Sequence, residues 1–258
     1  EFPNKGPIVQ IPTDDNGTCP RTTEPVTARV RMEGKSSLLT YTTPRGEEVT
    51  YVYTPATGAL TDLTVLAKGK SPFRPAVDSG PVFDFGGTEC SVVGKGGASA
   101  RLLTHTVEGD RVIAVWEYAG NTLTQRIRYE FSLKGKTLQV QLSSDETRFS
   151  EWKFGYADGL KDYKVITVPF MIVYSPRLLV TDGLFATYYM DWYKSNVSTL
   201  PNSRPNRPLP DGAAQYSFND PEYDKRPGKY AYLPRTDGSR HPLKECFYIT
   251  VSSNVDDV

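Results

Sequence analysis

A sustained alternation of apolar and polar residues over positions 98–144 constrains the fold of this chain more than any other feature. A strand places alternate side chains on opposite faces, whereas a helix needs an apolar period of 3.6. Short turn sequences, including Gly109-Asp110 and Gly135-Lys136, divide the block and suit tight hairpins. The block therefore predicts a meander of four strands, at Ala98–Glu108, Arg111–Tyr118, Thr122–Lys134 and Thr137–Ser144.

Further β-like runs on both sides of this block extend the prediction to the whole chain. They include Glu48–Thr54, Leu60–Ala67, Val165–Tyr174, Leu184–Trp192 and Glu245–Val251. The 16 Tyr and 11 Phe favour strands, and the 21 Gly and 20 Pro favour many turns between them. We expect an all-β fold, a large antiparallel two-sheet β-sandwich, in which residues 1–258 form a single domain. Because the chain stops at SSNVDDV without a cap or turn, we expect a fragment of a longer multidomain enzyme.

Charge and composition exclude two classes of partner. The chain has 30 Lys plus Arg and 30 Asp plus Glu, so its formal charge is zero. Without a basic excess, neither a nucleic acid nor an anionic membrane surface is expected as a partner. The most apolar stretch, Val165–Tyr174, is too short to span a bilayer and contains Pro169. The three cysteines, Cys19, Cys90 and Cys246, are widely spaced, and we expect small, unpaired side chains rather than a metal site.

The motifs of several reaction classes are missing from the sequence. It contains no P-loop, no dinucleotide-binding glycine motif before a helix, no His-Glu-x-x-His and no Gly-x-Ser-x-Gly. Only two histidines occur: His105 lies within a predicted strand and His241 lies on a predicted turn. These observations predict no catalytic residue, no metal ligand and no cofactor.

Aromatic residues next to carboxylates point to a different chemistry, the recognition of carbohydrate. A flat aromatic face packs on the C–H patches of a sugar ring, and nearby polar groups bind its hydroxyls. The segments 151–156 and 181–193 combine these residue types, and a long proline-rich segment at 193–228 follows the second. The predicted ligand contacts are Trp152, Trp192, Tyr193, Asp191 and Arg177. The alternative for the tryptophans is that they fill the core of the sandwich.

The order of strands and turns also resembles a known family. The run from Arg111 to Val140, with its Gly135-Lys136-Thr137-Leu138 turn, is similar to the galactose-mutarotase-like super-sandwich. The tail from Tyr232 to Glu245 is similar to the exit of such a domain toward a catalytic barrel. Domains of this kind lie N-terminal to the catalytic barrel in large bacterial glycoside hydrolases. True mutarotases use two histidines and a glutamate in a strand motif that is absent here, so epimerase activity is not expected.

These features predict a function with two alternatives. The chain is expected to be a non-catalytic carbohydrate-binding or ancillary module of a secreted, periplasmic or extracellular glycoside hydrolase that degrades polysaccharide. Its expected partners are a polysaccharide or oligosaccharide and a catalytic domain of the same polypeptide. One alternative is a carbohydrate-active enzyme, a hydrolase, lyase or epimerase, with Glu151 and Asp191 as candidate acids because glycosidic cleavage usually needs paired carboxylates. The other is a structural interaction domain whose aromatic residues are all buried.

Overall fold

A computed structural model gives the fold of the chain. It describes residues 19–93, 96–121, 123–146, 148–166, 178–195, 215–216, 229–231 and 242–258. Within these residues three short 3-10 helices occur, at Leu60–Asp62, Trp192–Lys194 and Val255–Asp257. None of the described helices has the length and apolar character needed to cross a membrane. The strands are β1 (Thr27–Glu33), β2 (Ser36–Thr42), β3 (Glu48–Tyr53), β4 (Leu63–Ala67), β5 (Arg74–Val77), β6 (Gly80–Asp84), β7 (Glu89–Ser91), β8 (Ser99–Glu108), β9 (Arg111–Gly120), β10 (Leu123–Lys134), β11 (Thr137–Ser144), β12 (Phe149–Lys153), β13 (Tyr156–Asp158), β14 (Lys164–Ile166), β15 (Leu178–Thr181), β16 (Leu184–Met190), β17 (Gln215–Tyr216), β18 (Lys229–Ala231) and β19 (Leu243–Ser252).

One large antiparallel sheet forms the first layer of the fold. Its eight strands are ordered β14-β15-β16-β19-β11-β10-β9-β8. The predicted meander is confirmed as β8 to β11, and each predicted strand end lies within two residues of the observed one. Strand β19, from the end of the chain, inserts between β16 and β11 and pairs antiparallel with both. The centre of the sheet therefore depends on the pairing of β11 and β19, two strands that lie far apart in the sequence.

Three smaller sheets form the second layer and pack on one face of the large sheet. Their strand orders are β1-β2-β3-β4, β18-β12-β6-β7 and β17-β13-β5. The hydroxyl of Tyr41 on β2 donates to the carbonyl of Val251 on β19 at 2.7 Å. On β12, the ring of Trp152 stacks on Phe247 of β19 with centroids 4.8 Å apart. The predicted all-β sandwich of antiparallel sheets is confirmed, and its second layer is divided.

The core lies between the two layers and follows the predicted alternation. In β10 the side chains of Ile127, Tyr129 and Phe131 are buried and face the small sheets. Gln125, the polar residue on this apolar face, is also fully buried. Its Oε1 accepts a hydrogen bond from the backbone N–H of Arg148 at 3.0 Å, which satisfies its acceptor inside the core.

The predicted strand Leu60–Ala67 differs from the observed structure at its start. Its first turn is a 3-10 helix, and only Leu63–Ala67 is extended. The carboxylate of Asp62 explains the difference, because it accepts hydrogen bonds from the backbone N–H groups of Ala56 and Thr57 at 2.9 and 3.0 Å. A side chain that binds the preceding backbone in this way favours a turn over a strand.

A buried lysine ties together three distant parts of the chain. The ammonium of Lys136, fully buried in the β10–β11 turn, lies 2.9 Å from Glu24, 2.6 Å from Glu47 and 2.8 Å from Asp257. We call these four residues the Lys136 cluster. Burial opposes the ionisation of Asp257, but hydrogen bonds from Lys136 and from Thr23 outweigh it and lower the pKa of Asp257 to about 2. The cluster joins the first described segment, the β2–β3 turn and the end of the chain.

Candidate functional site

A groove of about 460 Å³ crosses the outer face of the large sheet, opposite the small sheets. Its floor is formed by β10, β11 and β19, and its wall is the segment Tyr193–Ser195 after β16. The side chains of its floor are mostly polar or charged, namely Arg128, Glu130, Gln141, Ser143 and Lys244. The groove is therefore a polar surface site, separate from the core.

Strand alternation and register explain why these side chains share one face. Arg128 on β10 pairs with Ser143 on β11, and Ser143 pairs in turn with Lys244 on β19. Directly paired residues project from the same side of a sheet. Glu130 and Gln141 form the next row in the same register. Since neighbouring strands lie about 4.8 Å apart, the two rows present a regular array of donors and acceptors.

Asp191 fixes the geometry of the groove wall. Its backbone N–H donates to the carbonyl of Cys246 at 2.8 Å, which docks the end of β16 on β19. Its buried carboxylate accepts from the backbone N–H of Tyr193 at 3.0 Å and so caps the 3-10 helix. It also accepts from the hydroxyl of Tyr248 at 2.9 Å. Burial is the main reason that the pKa of Tyr248 lies far above its ordinary value, and the hydroxyl therefore stays a neutral donor.

Tyr193 presents an aromatic ring at the edge of the groove. Tyr193 is 54% exposed, more than any other large apolar or aromatic residue in the described part of the chain. The capping bond from Asp191 directs the chain into the 3-10 helix that places this ring outward. An aromatic side chain held outward beside polar groups is an element of a stacking site for a ligand.

Acidic and basic groups of the groove differ in their exposure. Glu245 is 1% exposed and accepts a hydrogen bond from the hydroxyl of Ser195. Arg128 has 43% of its side chain exposed, and Lys244 is also exposed. A ligand in the groove would consequently meet Arg128 and Lys244 before it met the carboxylate of Glu245.

The structure brings two of the five predicted contacts together and separates others. Asp191 and Tyr193 meet at the groove wall. Trp152 instead lies in the core, fully buried, and its Nε1 donates to the hydroxyl of Tyr188 at 3.1 Å. This is the core role that was the alternative for the tryptophans, and a sugar would reach the ring only if the two layers opened. Arg177 and the side chain of Trp192 lie outside the described part of the structure.

The two candidate acids of the enzyme alternative lie on different sheets. Glu151 is on β12 in the second layer, and Asp191 follows β16 in the first. Because Trp152 points from β12 toward the large sheet, alternation directs its neighbour Glu151 away from that sheet. This arrangement does not pair the two carboxylates across a common cleft.

His105, the histidine within the described residues, does not line the groove. A hydrogen bond of 2.5 Å joins Nε2 of His105 to the hydroxyl of Ser37, and burial lowers the pKa of the imidazole. His105 thus lies on a strand, as predicted, and has a hydrogen-bond partner there. His241 lies outside the described residues. All three cysteines are free thiols, and the described residues contain no cluster of three or more His, Cys, Asp or Glu suited to a metal ion.

Sequence reasoning missed Arg128, Gln141 and Lys244 as groove residues. The alternation of β10 does place Arg128 on its polar face, but the register with β19 cannot be read from the sequence.

A comparison with models of known protein families gives no match, and a comparison with curated proteins gives none either.

Proposed function

We propose that this chain is a non-catalytic carbohydrate-binding module that holds a polysaccharide or oligosaccharide in the groove of the large sheet. The observation that carries the proposal is the ring of Tyr193, which stands exposed beside a floor of polar side chains. Sugar rings combine C–H patches with hydroxyl groups, and the groove offers a complementary surface for each.

The polar floor supplies the hydrogen bonds that a sugar needs. Gln141 carries an amide with two donors and an acceptor, and Ser143 carries a hydroxyl that can donate or accept. Arg128, which pairs with Ser143 across the sheet, adds a planar guanidinium group with several N–H donors. Such groups fix the orientation of a ligand, while stacking on Tyr193 supplies apolar burial.

Binding rather than bond cleavage is supported by the state of the acids. The carboxylate of Asp191 is buried and accepts two hydrogen bonds, from the Tyr193 backbone and the Tyr248 hydroxyl. Glu151 lies on the other layer of the sandwich. Glycoside hydrolysis uses two carboxyl groups that flank one bond. The proposed role is therefore ancillary, in a secreted, periplasmic or extracellular glycoside hydrolase whose catalytic domain belongs to the same polypeptide.

A polysaccharide binding screen tests the proposal. The purified chain is titrated with a panel of neutral and charged polysaccharides by affinity electrophoresis and calorimetry, and the products are examined for cleavage. Burial of an aromatic side chain contributes about 1.5–3 kcal/mol, so Tyr193→Ala is expected to weaken binding by about 10-fold or more. Tyr163→Ala is the matched control, because Tyr163 is also exposed, at 39%, and does not line the groove.

Three results would contradict this proposal. One is the absence of binding to every polysaccharide of the panel. Another is equal affinity for the wild type and Tyr193→Ala. The third is release of shorter saccharides by the isolated chain, which would support the enzyme alternative instead.

A further inference from the structure

We propose that the saccharide bound in the groove is anionic, and that Arg128 and Lys244 bind its carboxylate or sulfate groups. This inference rests on the proposed carbohydrate-binding function and adds the chemical class of the ligand. It is argued from the exposure of the charged groups on the outer face of the large sheet.

The first step is the ion-pair geometry at Glu130. This carboxylate accepts from Arg111 at 2.9 Å through Oε1 and from Arg128 at 3.0 Å through Oε2. One acid therefore serves two guanidinium groups. Arg111 also pairs with the exposed Asp110 at 3.7 Å, and Arg128 is the cation of this group that lines the groove. The carboxylate is 15% exposed, whereas Arg111 and Arg128 are 56% and 43% exposed.

The same arrangement is repeated further along the sheet. Glu117 accepts from Arg101 at 2.6 Å and from Arg126 at 3.0 Å, and again one acid serves two arginines. Each guanidinium has five N–H donors, so a bond to one carboxylate leaves others directed to solvent. On the outer face of β8 to β10 the shared carboxylates of Glu117 and Glu130 are thus less exposed than the arginines that they bind.

Lys244 adds an exposed cation on the other side of the groove floor. It lies two strands from Arg128 in the same cross-strand row, a distance of about 10 Å between backbones. Within the described part of the chain Lys244 has no ion-pair partner. Ser143 stands between the two cations and offers a hydroxyl.

The acids near the groove do not cancel this pattern, because they lie below the surface. Asp191 is fully buried and Glu245 is 1% exposed, and both already accept hydrogen bonds. Hydrogen bonds between a cationic donor and an anion are about twice as strong as neutral ones, so an acidic sugar gains most from this surface.

A comparison of charged and neutral forms of one polymer tests the inference. The probes are polygalacturonate, its carboxyl-reduced neutral form, a sulfated polysaccharide and single-stranded DNA, each titrated at low and at moderate salt. We expect the wild type to bind the acidic polymers about 10-fold or more tightly than the reduced form, and to lose this difference as salt rises. The variant Arg128→Gln/Lys244→Gln should lose the preference for charge.

The matched control removes one arginine and one lysine charge from a different surface of the protein. Arg29→Gln/Lys35→Gln changes two exposed cations, on β1 and in the turn after it, and should leave binding unchanged. Equal binding of the acidic and the reduced polymer, with Tyr193→Ala still harmful, would overturn this inference and preserve the proposed function. Binding of DNA as tight as that of the acidic polysaccharides would also overturn it. Failure of every polymer to bind would overturn both.

Discussion

Replacement of Lys136 by methionine should destabilise the protein more than any change to its exposed charges. The ammonium group is fully buried and lies within 3 Å of a carboxylate oxygen from each of Glu24, Glu47 and Asp257. Methionine keeps much of the volume of the side chain but removes the cation. Three carboxylates would then face one another without the cation, and the ion pairs of the cluster would be lost, although Thr23 would still donate to Asp257.

The size of the effect follows from the burial of the cluster. Removing one partner of a buried ion pair costs about 3–5 kcal/mol. Glu24 and Glu47 retain 15% and 11% exposure, so water relieves part of the repulsion and the lower half of this range is expected. With an unfolding entropy of about 2.1 cal/mol/K per residue, a cost of about 3–4 kcal/mol lowers the melting temperature of 258 residues by about 6–7 °C.

Thermal and urea unfolding of Lys136→Met and Arg45→Met measure this cost against a matched control. Arg45 also pairs with Glu24, at 3.6 Å, but its side chain is 82% exposed, and exposed pairs contribute about 0–1 kcal/mol. The difference in unfolding free energy between the wild type and Lys136→Met should also shrink as the pH falls from about 4 to about 2. The pKa of Asp257 is depressed to about 2, so its stabilising effect is lost as pH falls through that range in the wild type. Costs for the two variants that agree within about 1 kcal/mol, or a deficit that grows in acid, would refute the reasoning.

Two further predictions concern the core and a histidine. Trp152→Ala should lower the free energy of unfolding, measured with urea, by about 3–5 kcal/mol, because removal of the buried indole leaves a cavity. A loss smaller than that of Tyr193→Ala, which changes an exposed residue, would contradict the placement of Trp152 in the core. For His105, burial lowers the pKa of the imidazole, so protonation favours the unfolded chain and stability should decline as pH falls through the unfolded pKa of about 6.5. NMR titration should find the imidazole pKa below 6.5, and His105→Gln should lack this part of the decline; an imidazole pKa at or above 6.5 would contradict the effect of burial on this ring.

The local part of the fold could be predicted because it depends on neighbouring residues. Strands β8 to β11 follow one another through short turns, so the period-two pattern and the turn residues determine both the strands and their pairing. The same alternation accounts for the inward face of β10, on which Gln125 is the polar member. The pattern carries this information since a shift of one residue would expose the whole apolar face.

The position of β19 could not be predicted in the same way. It inserts beside β11, from which it is separated by about a hundred residues of sequence, and nothing in the local pattern specifies that neighbour. The row of Arg128, Ser143 and Lys244 depends on this register. Trp152 presents a related difficulty, because Glu151 and Trp152 alternate on a five-residue strand and the sequence does not say which of them faces inward.

Asp191 lies beside the groove, but its contacts differ from those of the predicted ligand-binding residue. Its place beside Tyr193 at a strand end predicted a direct contact with a ligand, and the groove does lie there. Its carboxylate, however, is buried and already accepts from the Tyr193 backbone and the Tyr248 hydroxyl. In the proposed complex Asp191 therefore acts as a positioning residue that holds the ring of Tyr193 outward. Asp191→Asn keeps one acceptor for the cap, so it should preserve more saccharide affinity than Asp191→Ala, whereas a direct contact through charge would be lost equally in both.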